Sequence, residues 1–421
     1  MRVLLCTLPQ RTHFLKMVPL AWALRTAGHE VRVASLPRLT DLITDAGLTA
    51  VPVGRDVDVE RMDRPEDRAQ WRRGLPKPYD LAEVGAENVD WAELTESHRA
   101  FTQWGHRLHN QPMVADLVRL AQQWRPDLVL WEPNTFAGAI AAKACGAAHG
   151  RLLFTMDVYG VTHAHIRQVN SRLVPPERDD ALAEWLESYA RRYGFAFTED
   201  LVSGQFTVDQ LSPSLRIGAP LHYVPMRHIP YGGRAVVPPW VWAPRSRPRV
   251  ALTLGLSATD HFDGYTLNVA DVLDSLADLD VEVVATIATA EQPKLPGVPD
   301  NVRVVDYVPL HALAPTCAAV VNHGGFGTLS TVARYGVPQL VLPFHFEGPL
   351  LAGKLAAQGA GLVVHSGAAT GATVREQLGR LLDEPVFRER AEALRAEIEA
   401  LPTPNEVAGQ LVELTAKYRA D

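Results

Sequence analysis

The sequence predicts a two-domain α/β protein with a parallel sheet in each domain. Its 421 residues are more than one ordinary hydrophobic core holds, so two or three domains are expected. Short, almost continuous apolar runs alternate with helical patterns, which is typical of parallel strands covered on both faces. Residues 249–254 echo residues 2–7, but so short an echo can arise by chance, and the better evidence is the second alternating series that begins there. These observations favour two similar halves.

Composition and charge exclude several classes of protein. Hydrophobic residues make up 47% of the chain and charged residues 21%, as in ordinary globular proteins. The net charge of −7 comes without a run of basic residues, so no nucleic-acid partner is expected. No segment is long and apolar enough for a membrane span, and the opening apolar run is too short for a signal peptide. Three widely spaced cysteines indicate neither a disulfide framework nor a metal cage, and a cytoplasmic location is predicted.

The first half alternates strands and helices after its opening strand. Pro19 suits the first turn of a helix whose apolar positions repeat at helical spacing until Gly28 ends it. The elements that follow are a strand at 30–35, a helix at 39–46, a strand at 48–53, a helix at 113–124 and a strand at 127–131. Residues 54–110 interrupt this alternation with charged residues, Trp and Pro, and we predict an irregular, substrate-facing insertion there.

The second half follows a stretch rich in Gly and Pro, residues 230–248, which is typical of an interdomain linker. Strands are then predicted at 249–254, 281–286, 302–306, 318–322, 339–342 and 362–365. The last helix begins with a capping box formed by Thr403 and Glu406, with Pro404 between them. The sequence thus predicts a first domain at 1–229, the linker, a second domain at 249–402 and a terminal helix at 403–421. That helix either covers its own domain or packs back on the first.

The strongest local signal is a glycine-rich turn after a buried strand. The segment NHGGFGT at residues 322–328 leads directly into a helix. Glycine lets backbone amides approach an anion and the helix start adds positive potential, so a diphosphate is the expected ligand, with His323 as a further donor. The turn lacks the third glycine of the dinucleotide fingerprint and the lysine of a P-loop, which argues against NAD enzymes and P-loop NTPases. A tight turn without a ligand is the alternative interpretation.

Together with the residues that follow it, this turn resembles the donor signature of family 1 glycosyltransferases with the GT-B fold. The segments that carry the resemblance are HGGFGT at 323–328, GVPQ at 336–339 and LP at 342–343. Other parts of the first half resemble the antibiotic-tailoring transferases of actinobacterial pathways that make macrolide or aromatic polyketides. They are residue 13 and the segments at 18–24, 27–34 and 47–54. Those at 131–138 and 252–257 resemble the subgroup that transfers deoxysugars and aminodeoxysugars from dTDP.

This resemblance implies two Rossmann-like domains whose parallel sheets face a central cleft. It implies that the loop around Val308 contacts the donor base through its backbone. The residues implied to surround the donor phosphates are Ser257, His323, Gly325, Gly327 and Thr328. A dTDP-sugar is then a co-substrate, with no cofactor and no metal required. The implied partners are a hydrophobic aglycone and, as for several members of the subgroup, a cytochrome P450-like helper protein.

His13 and Glu132 are the candidate catalytic residues of the first half. His13 is predicted in the loop after the first strand, just before a helix, at the edge where open parallel sheets bind ligands. The positive helix start disfavours an imidazolium, so His13 is expected to accept a proton. Glu132 follows another strand at the same edge, where a carboxylate can hold the imidazole in one tautomer. The alternatives are a solvated or capping histidine and a carboxylate that only caps the next helix.

Two other groups are interpreted without a catalytic role. Asp56 and Asp58 have the spacing of a metal-binding motif in the other major glycosyltransferase fold, but they lie in a charged loop and are assigned to a solvated turn. His163 and His165 lack a further ligand at supporting spacing and are interpreted as structural. No metal ligand is predicted.

The residues after the Leu-Pro pair at 342–343 depart from the wider family. Hexose-using relatives carry Asp-Gln there, whereas this chain has Glu347 and Gly348, with Phe344 and Phe346 nearby. A site with fewer polar partners favours a less hydroxylated sugar, because unpaired buried hydroxyls are costly. Glu347 is a candidate partner for a protonated amine, which favours an aminodeoxysugar. The alternative is a solvated Glu347.

These observations predict an inverting, metal-independent glycosyltransferase of antibiotic biosynthesis. It would move a deoxysugar from dTDP to a hydroxyl of a polyketide-type aglycone. His13 would remove the hydroxyl proton while the diphosphate leaves toward Gly327 and Thr328. The alternatives are a nucleotide-sugar epimerase of the same fold and a non-catalytic carrier or partner protein that keeps the fold alone.

Overall fold

Two parallel sheets organise the chain in the computed structural model, which describes residues 1–57, 71–85, 87–174, 179–255 and 264–419. The strands of the first sheet are β1 (Arg2–Cys6), β2 (Glu30–Ser35), β3 (Thr49–Pro52), β4 (Leu128–Trp131), β5 (Ala148–Leu152), β6 (Thr207–Asp209) and β7 (Tyr223–Pro225). Those of the second are β8 (Arg249–Thr253), β9 (Glu282–Thr286), β10 (Val302–Val305), β11 (Ala319–Asn322), β12 (Gln339–Val341) and β13 (Gly361–Val363). The strand orders are β3-β2-β1-β4-β5-β6-β7 and β10-β9-β8-β11-β12-β13. The predicted α/β fold with two parallel sheets is confirmed.

Helices cover both faces of each sheet. In the first half they are α1 (Arg11–Thr26), α2 (Thr40–Asp45), α3 (Trp91–Phe101), α4 (Leu108–Trp124), α5 (Phe136–Cys145), α6 (Val158–Asn170), α7 (Ala181–Tyr193) and α8 (Asp200–Ser203). In the second half they are α9 (Val269–Ser275), α10 (Leu310–Leu313), α11 (Phe326–Arg334), α12 (Gly348–Gln358), α13 (Gly371–Asp383), α14 (Pro385–Glu399) and α15 (Pro404–Tyr418). Alternate residues of β1 enter opposite apolar clusters, Val3 and Leu5 on one face and Leu4 and Cys6 on the other. This explains the continuous apolar runs of the strands.

The strand order reverses once in each sheet, and both reversals create a crevice at the carboxyl ends of the strands. In the first sheet β1 lies between β2 and β4, with Leu5 opposite Val33 and Leu130. In the second, β8 lies between β9 and β11, with Leu252 opposite Ala285 and Val321. Open α/β sheets bind ligands at such switch points, so two binding crevices are expected.

The two halves are joined by an apolar cluster that crosses between them. From the first half it contains Met156, Val158, Val161, Leu211 and Leu215, and from the second Phe326, Leu329, Leu351, Leu355 and Leu394. At its margin Lys354 of α12 forms an ion pair with Glu83, with 2.9 Å between Nζ and Oε1. We name this group the interdomain cluster. It brings the carboxyl ends of the two sheets to one cleft.

Helix α1 begins earlier than the sequence predicts. It starts at Arg11, so His13 lies inside its first turn rather than in a preceding loop, and Pro19 is inside the helix rather than at its start. Proline removes one intrahelical hydrogen bond. The helix continues through it because residues on both sides, including Phe14, Val18 and Leu20, are buried in the core. Packing therefore overrides the local signal.

The insertion at residues 54–110 is more regular than predicted where the structure describes it. Helix α3 begins at the Asp90 cap and continues through a π-helical turn, Thr102–Arg107, into α4. Its buried positions include His98, Thr102 and His106. Because the buried face is partly polar, with Leu94 as the buried apolar residue of α3, the apolar periodicity is too weak to mark the helix in the sequence. The expectation of an irregular segment was wrong for this part.

The terminal helix α15 packs on the first half. Its predicted capping box is present, with the Thr403 side chain accepting from the Glu406 amide and the Glu406 side chain from the Thr403 amide. Val407 and Leu411 belong to the same apolar cluster as Leu20 of α1. The chain thus returns to the first half after completing the second sheet.

Candidate active site

A histidine and a glutamate meet where the strand order of the first sheet reverses. His13 follows β1, and Glu132 is the residue directly after β4. Because these strands are neighbours, His13 Nδ1 lies 3.7 Å from Glu132 Oε2. This distance is longer than a hydrogen bond but short enough for an ion pair once the ring is protonated. The structure therefore brings together the two residues that the sequence proposes as a catalytic pair.

Glu132 is fully buried, and three donors hold its carboxylate. Oε1 accepts hydrogen bonds from the Leu8 amide at 3.3 Å and the Thr135 hydroxyl at 2.6 Å. Oε2 accepts one from the Asn134 amide at 2.9 Å. Burial by itself raises the pKa of the Glu132 carboxyl, but the His13 ring and the Thr135 and Asn134 donors outweigh it and hold the pKa below its ordinary value. Glu132 is thus an anion fixed beside His13 at neutral pH.

The His13 ring is also fixed from its other side. It stacks on Phe154, with ring centroids 3.6 Å apart and an angle of 15° between the planes. The side chain is 17% exposed, so part of the ring remains open to the cleft. With Nδ1 turned toward Glu132, Nε2 is the nitrogen left for a ligand. The imidazole is therefore oriented for proton transfer before any substrate arrives.

The glycine-rich turn lies at the reversal of the second sheet, after β11. Gly324 has a φ of 80°, a left-handed conformation that glycine adopts without strain, and its amide donates to Asn322 Oδ1 at 2.9 Å. The Asn322 amide group donates to Gln339 Oε1 at 2.9 Å, and Gln339 donates to the Leu329 carbonyl at 3.1 Å. This buried chain of hydrogen bonds fixes the turn between two strands and helix α11.

His323 occupies the centre of this turn. A Cβ added at Gly255 or at Gly325 would overlap the imidazole, so only glycine fits on either side. The residue is 6% exposed, and among the described residues its Nδ1 has no hydrogen-bond partner. Burial lowers the pKa of His323 to about 4, so the ring is neutral at pH 7. An unpartnered buried nitrogen is costly, and an anionic or hydroxyl ligand at the turn would satisfy it.

The N-terminus of α11 opens onto the cleft beside His323. Gly325 is the N-cap and offers no side chain to the first-turn amides, which have no intrahelical acceptor. The Thr328 amide donates to the Gly325 carbonyl at 3.0 Å and closes the turn. Across the cleft, the Lys16 ammonium lies so close to Gly327 that a Cβ there would overlap it. Amides, helix dipole and cation together suit an anionic ligand.

Of the two further residues proposed for donor binding, the structure describes Val308. Val308 lies between β10 and α10, with its side chain 4% exposed in an apolar cluster that includes Val241 and Ala251. Its backbone therefore stands at the same sheet edge as the glycine-rich turn. Ser257 lies outside the described residues.

The segment after β12 closes one side of the cleft. The Phe346 amide donates to the Trp71 carbonyl at 3.2 Å, and the two rings are 5.9 Å apart. Phe344 is 4% exposed and packs on Trp71 and Tyr265, so it is part of a small core. Burial raises the pKa of the Glu347 carboxyl, and its own backbone amide together with the Thr155 and His13 side chains of the first half partly oppose this effect. Glu347 therefore faces the cleft.

Sequence reasoning missed Lys16, Trp71 and Phe154 as cleft residues. Lys16 follows His13 by three positions, and residues three apart share a helix face. An earlier start for α1 in the prediction would have placed both on the cleft side. Trp71 and Phe154 carry no local signal, because only the contact between distant elements places them here.

The remaining candidate groups lie outside this cleft. The His163 ring Nε2 lies 2.8 Å from Glu199 Oε2, and Asp56 accepts a hydrogen bond from the Arg38 amide. Asp58 lies outside the described residues. Within the described part of the chain, no cluster of three or more His, Cys, Asp or Glu side chains is arranged to hold a metal ion. None of the described helices combines the length and apolar character needed to cross a membrane.

Comparison with known proteins shows which protein family the chain matches. Residues 22–255 match the N-terminal domain, and residues 270–414 the C-terminal domain, of the family described as erythromycin biosynthesis protein CIII-like. The chain is 43% identical over 424 residues to the 10-deoxymethynolide desosaminyltransferase of Streptomyces venezuelae, covering 100% of this chain and 98% of the relative. It is 44% identical over 427 residues to the TDP-daunosamine transferase DnrS of Streptomyces peucetius, with the same coverage.

The solved structures agree. The glycosyltransferase VinC in complex with dTDP superposes with a TM-score of 0.89 at 40% identity, covering 99% of this chain and 100% of VinC. The GT-B fold expected from the sequence is therefore confirmed. With both halves matched and relatives aligned over the whole chain, the protein belongs to the erythromycin biosynthesis protein CIII-like family and is a glycosyltransferase.

Proposed function

We propose that the protein transfers a deoxysugar from a dTDP-activated donor to a hydroxyl of a hydrophobic polyketide aglycone, with inversion at the anomeric carbon. One observation carries the proposal: the His13–Glu132 pair of the first half, with Glu132 buried and His13 partly open, lies opposite the N-terminus of α11 in the second. Lys16, one turn after His13, touches Gly327 in the first turn of α11. A proton acceptor and an anion-binding helix start are thus within one cleft, as a displacement at a sugar phosphate requires.

The reaction is a single displacement. His13 Nε2 takes the proton of the acceptor hydroxyl, and that oxygen forms a bond to the anomeric carbon of the donor sugar. The bond from the anomeric carbon to the phosphate oxygen breaks on the opposite face, so the configuration inverts. Glu132 stabilises the imidazolium that forms, since its carboxylate lies 3.7 Å from the ring.

The leaving dTDP takes up negative charge at the N-terminus of α11. The first-turn amides and the helix dipole stabilise this charge, and the ring N–H of His323 can donate a hydrogen bond to it from the same turn. We assign the phosphates to His323, Gly325, Gly327 and Thr328. The backbone at Val308 contacts the base, and Ser257 is proposed as a further phosphate contact from the resemblance alone.

Each half of the chain is proposed to bind one of the two substrates. Residues 1–229 would bind the acceptor and residues 249–402 the donor, joined by the linker at 230–248 and tied back by the terminal helix at 403–421. The relatives act, by their names, on 10-deoxymethynolide or transfer daunosamine, which supports a polyketide acceptor and an aminodeoxysugar donor. A cytochrome P450-like helper protein stays a prediction.

The test is transfer by purified protein from several dTDP-sugars to a panel of macrolide and anthracycline aglycones, with and without a P450-like helper. We expect an acceptor-dependent glycoside with inverted anomeric configuration by NMR. Conversion of the donor without acceptor would instead indicate an epimerase. Binding of donor without any product, in the presence of a helper, would indicate a carrier. Retained configuration would contradict the single displacement.

Glu347 is proposed to select the sugar. Its carboxylate faces the cleft near His13, where a protonated amino group of the sugar could pair with it. Wild type and Glu347→Gln should be compared on dTDP-glucose, a neutral dTDP-deoxysugar and a dTDP-aminodeoxysugar. We expect a loss of about 10-fold or more on the aminodeoxysugar alone. Equal loss on all donors would eliminate the amine pairing, and a preference for glucose would eliminate the deoxysugar assignment.

A further inference from the structure

Lys16 is a cation of the first half that reaches the donor side of the cleft. It lies three residues after His13 on α1, on the same helix face. Its ammonium is in contact with Gly327, where a Cβ would overlap both Nζ and the carbon before it. The same ammonium lies 5.5 Å from the centre of the Phe326 ring. Gly327 thus leaves the space that Lys16 occupies.

The surroundings of Lys16 do not favour a positive charge by themselves. Among the described residues, no carboxylate lies within ion-pair distance of its ammonium. Burial lowers the pKa of Lys16 to about 8. The first turn of α11 adds positive potential, and like-signed charge at a helix N-terminus is destabilising. An anion bound beside the ammonium and the helix start would remove both penalties.

A second, independent observation points to a ligand at this position. His323 is 6% exposed in the same turn, and its Nδ1 has no hydrogen-bond partner among the described residues. Two neighbouring glycines, Gly255 and Gly325, leave room around its ring. A buried imidazole with an unpartnered ring nitrogen and a half-buried cation without a counterion among the described residues therefore flank one helix start.

We propose that Lys16 binds the sugar-linked phosphate of the donor and stabilises the charge that this phosphate gains as the glycosidic bond to it breaks. The assignment rests on the proposed function, which places the diphosphate at α11. The phosphate next to the sugar is the one expected here, because Lys16 and His13 share a helix face and His13 must lie near the anomeric carbon.

The rival explanation is that Lys16 only connects the two halves through its contact with Phe326. The two explanations differ in what the ligand must contain. A phosphate contact depends on the second phosphate of dTDP, whereas an interdomain contact affects all nucleosides alike.

The experiment measures the affinity of the full chain for thymidine, dTMP and dTDP by calorimetry. The variants are Lys16→Met, Lys16→Arg and the control Lys354→Met, which removes another lysine that joins the halves, at its ion pair with Glu83. We expect Lys16→Met to weaken dTDP binding about 10- to 100-fold and to change thymidine and dTMP binding by less than about 2-fold. Lys16→Arg should recover most of the dTDP affinity, and Lys354→Met should bind dTDP like the wild type.

Each other outcome overturns the inference. Equal losses on all three ligands would assign Lys16 to domain contact, and an equal loss on dTMP and dTDP would assign it to the other phosphate. Unchanged dTDP binding in Lys16→Met would exclude the contact while the proposed function stands. Absence of dTDP binding by the wild type would instead overturn the proposed donor together with this inference. Circular dichroism and melting of Lys16→Met and Lys16→Arg establish that both variants fold.

Discussion

Replacing Glu132 by Gln should slow glycosyl transfer about 10- to 150-fold and leave dTDP affinity unchanged. The carboxylate is fully buried, and its Oε2 lies 3.7 Å from His13 Nδ1. In the transition state His13 becomes positively charged, and the substituted side chain would offer it a neutral amide instead of an anion. The residues proposed to contact the nucleotide, on α11 and at Lys16, do not include Glu132, so nucleotide binding should not change.

The magnitude follows from the contacts of the carboxylate. An interaction with a charged partner contributes about 1.5 to 3 kcal/mol, which converts to about 10- to 150-fold in rate. The substitution also has a structural cost. Leu8, Thr135 and Asn134 all donate to the carboxylate, and one of them would face the new NH₂ group. One unsatisfied buried donor costs about 1 to 3 kcal/mol of stability.

The assay is single-turnover transfer at saturating donor and acceptor, in a double-mutant cycle with His13→Ala. Since Glu132 acts through His13, Glu132→Gln should slow the wild type but change the His13→Ala enzyme by less than about 2-fold. Asp200→Asn is the matched control. Asp200 is also a carboxylate paired with a histidine, His149, at 3.2 Å, but it does not contact His13. This variant should lose stability without losing rate.

Two results would refute the reasoning. A rate loss of the same size in the wild type and in His13→Ala would show that Glu132 acts independently of the histidine. An unchanged rate in a folded Glu132→Gln would show that the carboxylate only holds its loop.

Three further predictions follow from the same contacts. His13→Ala should lower turnover by about 10²- to 10⁴-fold with unchanged dTDP affinity, and near-normal turnover would require another base. Because the folded pKa of His323, about 4, lies below its ordinary 6.5, the unfolded state takes up more protons as the pH falls through that window, so stability falls. Between pH 7.5 and 5, denaturation should show the free energy of unfolding falling by about 2 kcal/mol less in His323→Asn than in the wild type. An equal fall in both proteins would contradict the burial argument. Gly138→Ala should lower the free energy of unfolding by about 1 to 3 kcal/mol, because its Cβ would lie 2.7 Å from Trp131 Cβ. The control Gly379→Ala has open space around the new Cβ and should raise it by about 0.5 to 1 kcal/mol, as measured by melting.

Local sequence signals were sufficient to predict the elements that are bounded by glycine, proline or capping residues. The glycine-rich turn at 322–328 and the capping box at Thr403 combine several agreeing signals at one place, and both appear in the structure. The start of α1 was misplaced because Pro19 is a local signal for a helix start, while buried residues on both sides of it hold the helix from Arg11. Helix α3 escaped prediction because its buried face is partly polar.

The sequence by itself determined the two parallel sheets, the glycine-rich turn and the candidacy of His13 and Glu132. These depend on residue type and spacing along a short stretch of chain, where the hydrophobic pattern and backbone preference act. Only the tertiary structure decided that His13 and Glu132, far apart in sequence, stand side by side, because that follows from β1 and β4 being neighbours. It likewise decided that Lys16 reaches Gly327, a contact made by packing the two halves across the interdomain cluster. Such contacts join segments more than a hundred residues apart, and no local pattern encodes which of them will meet.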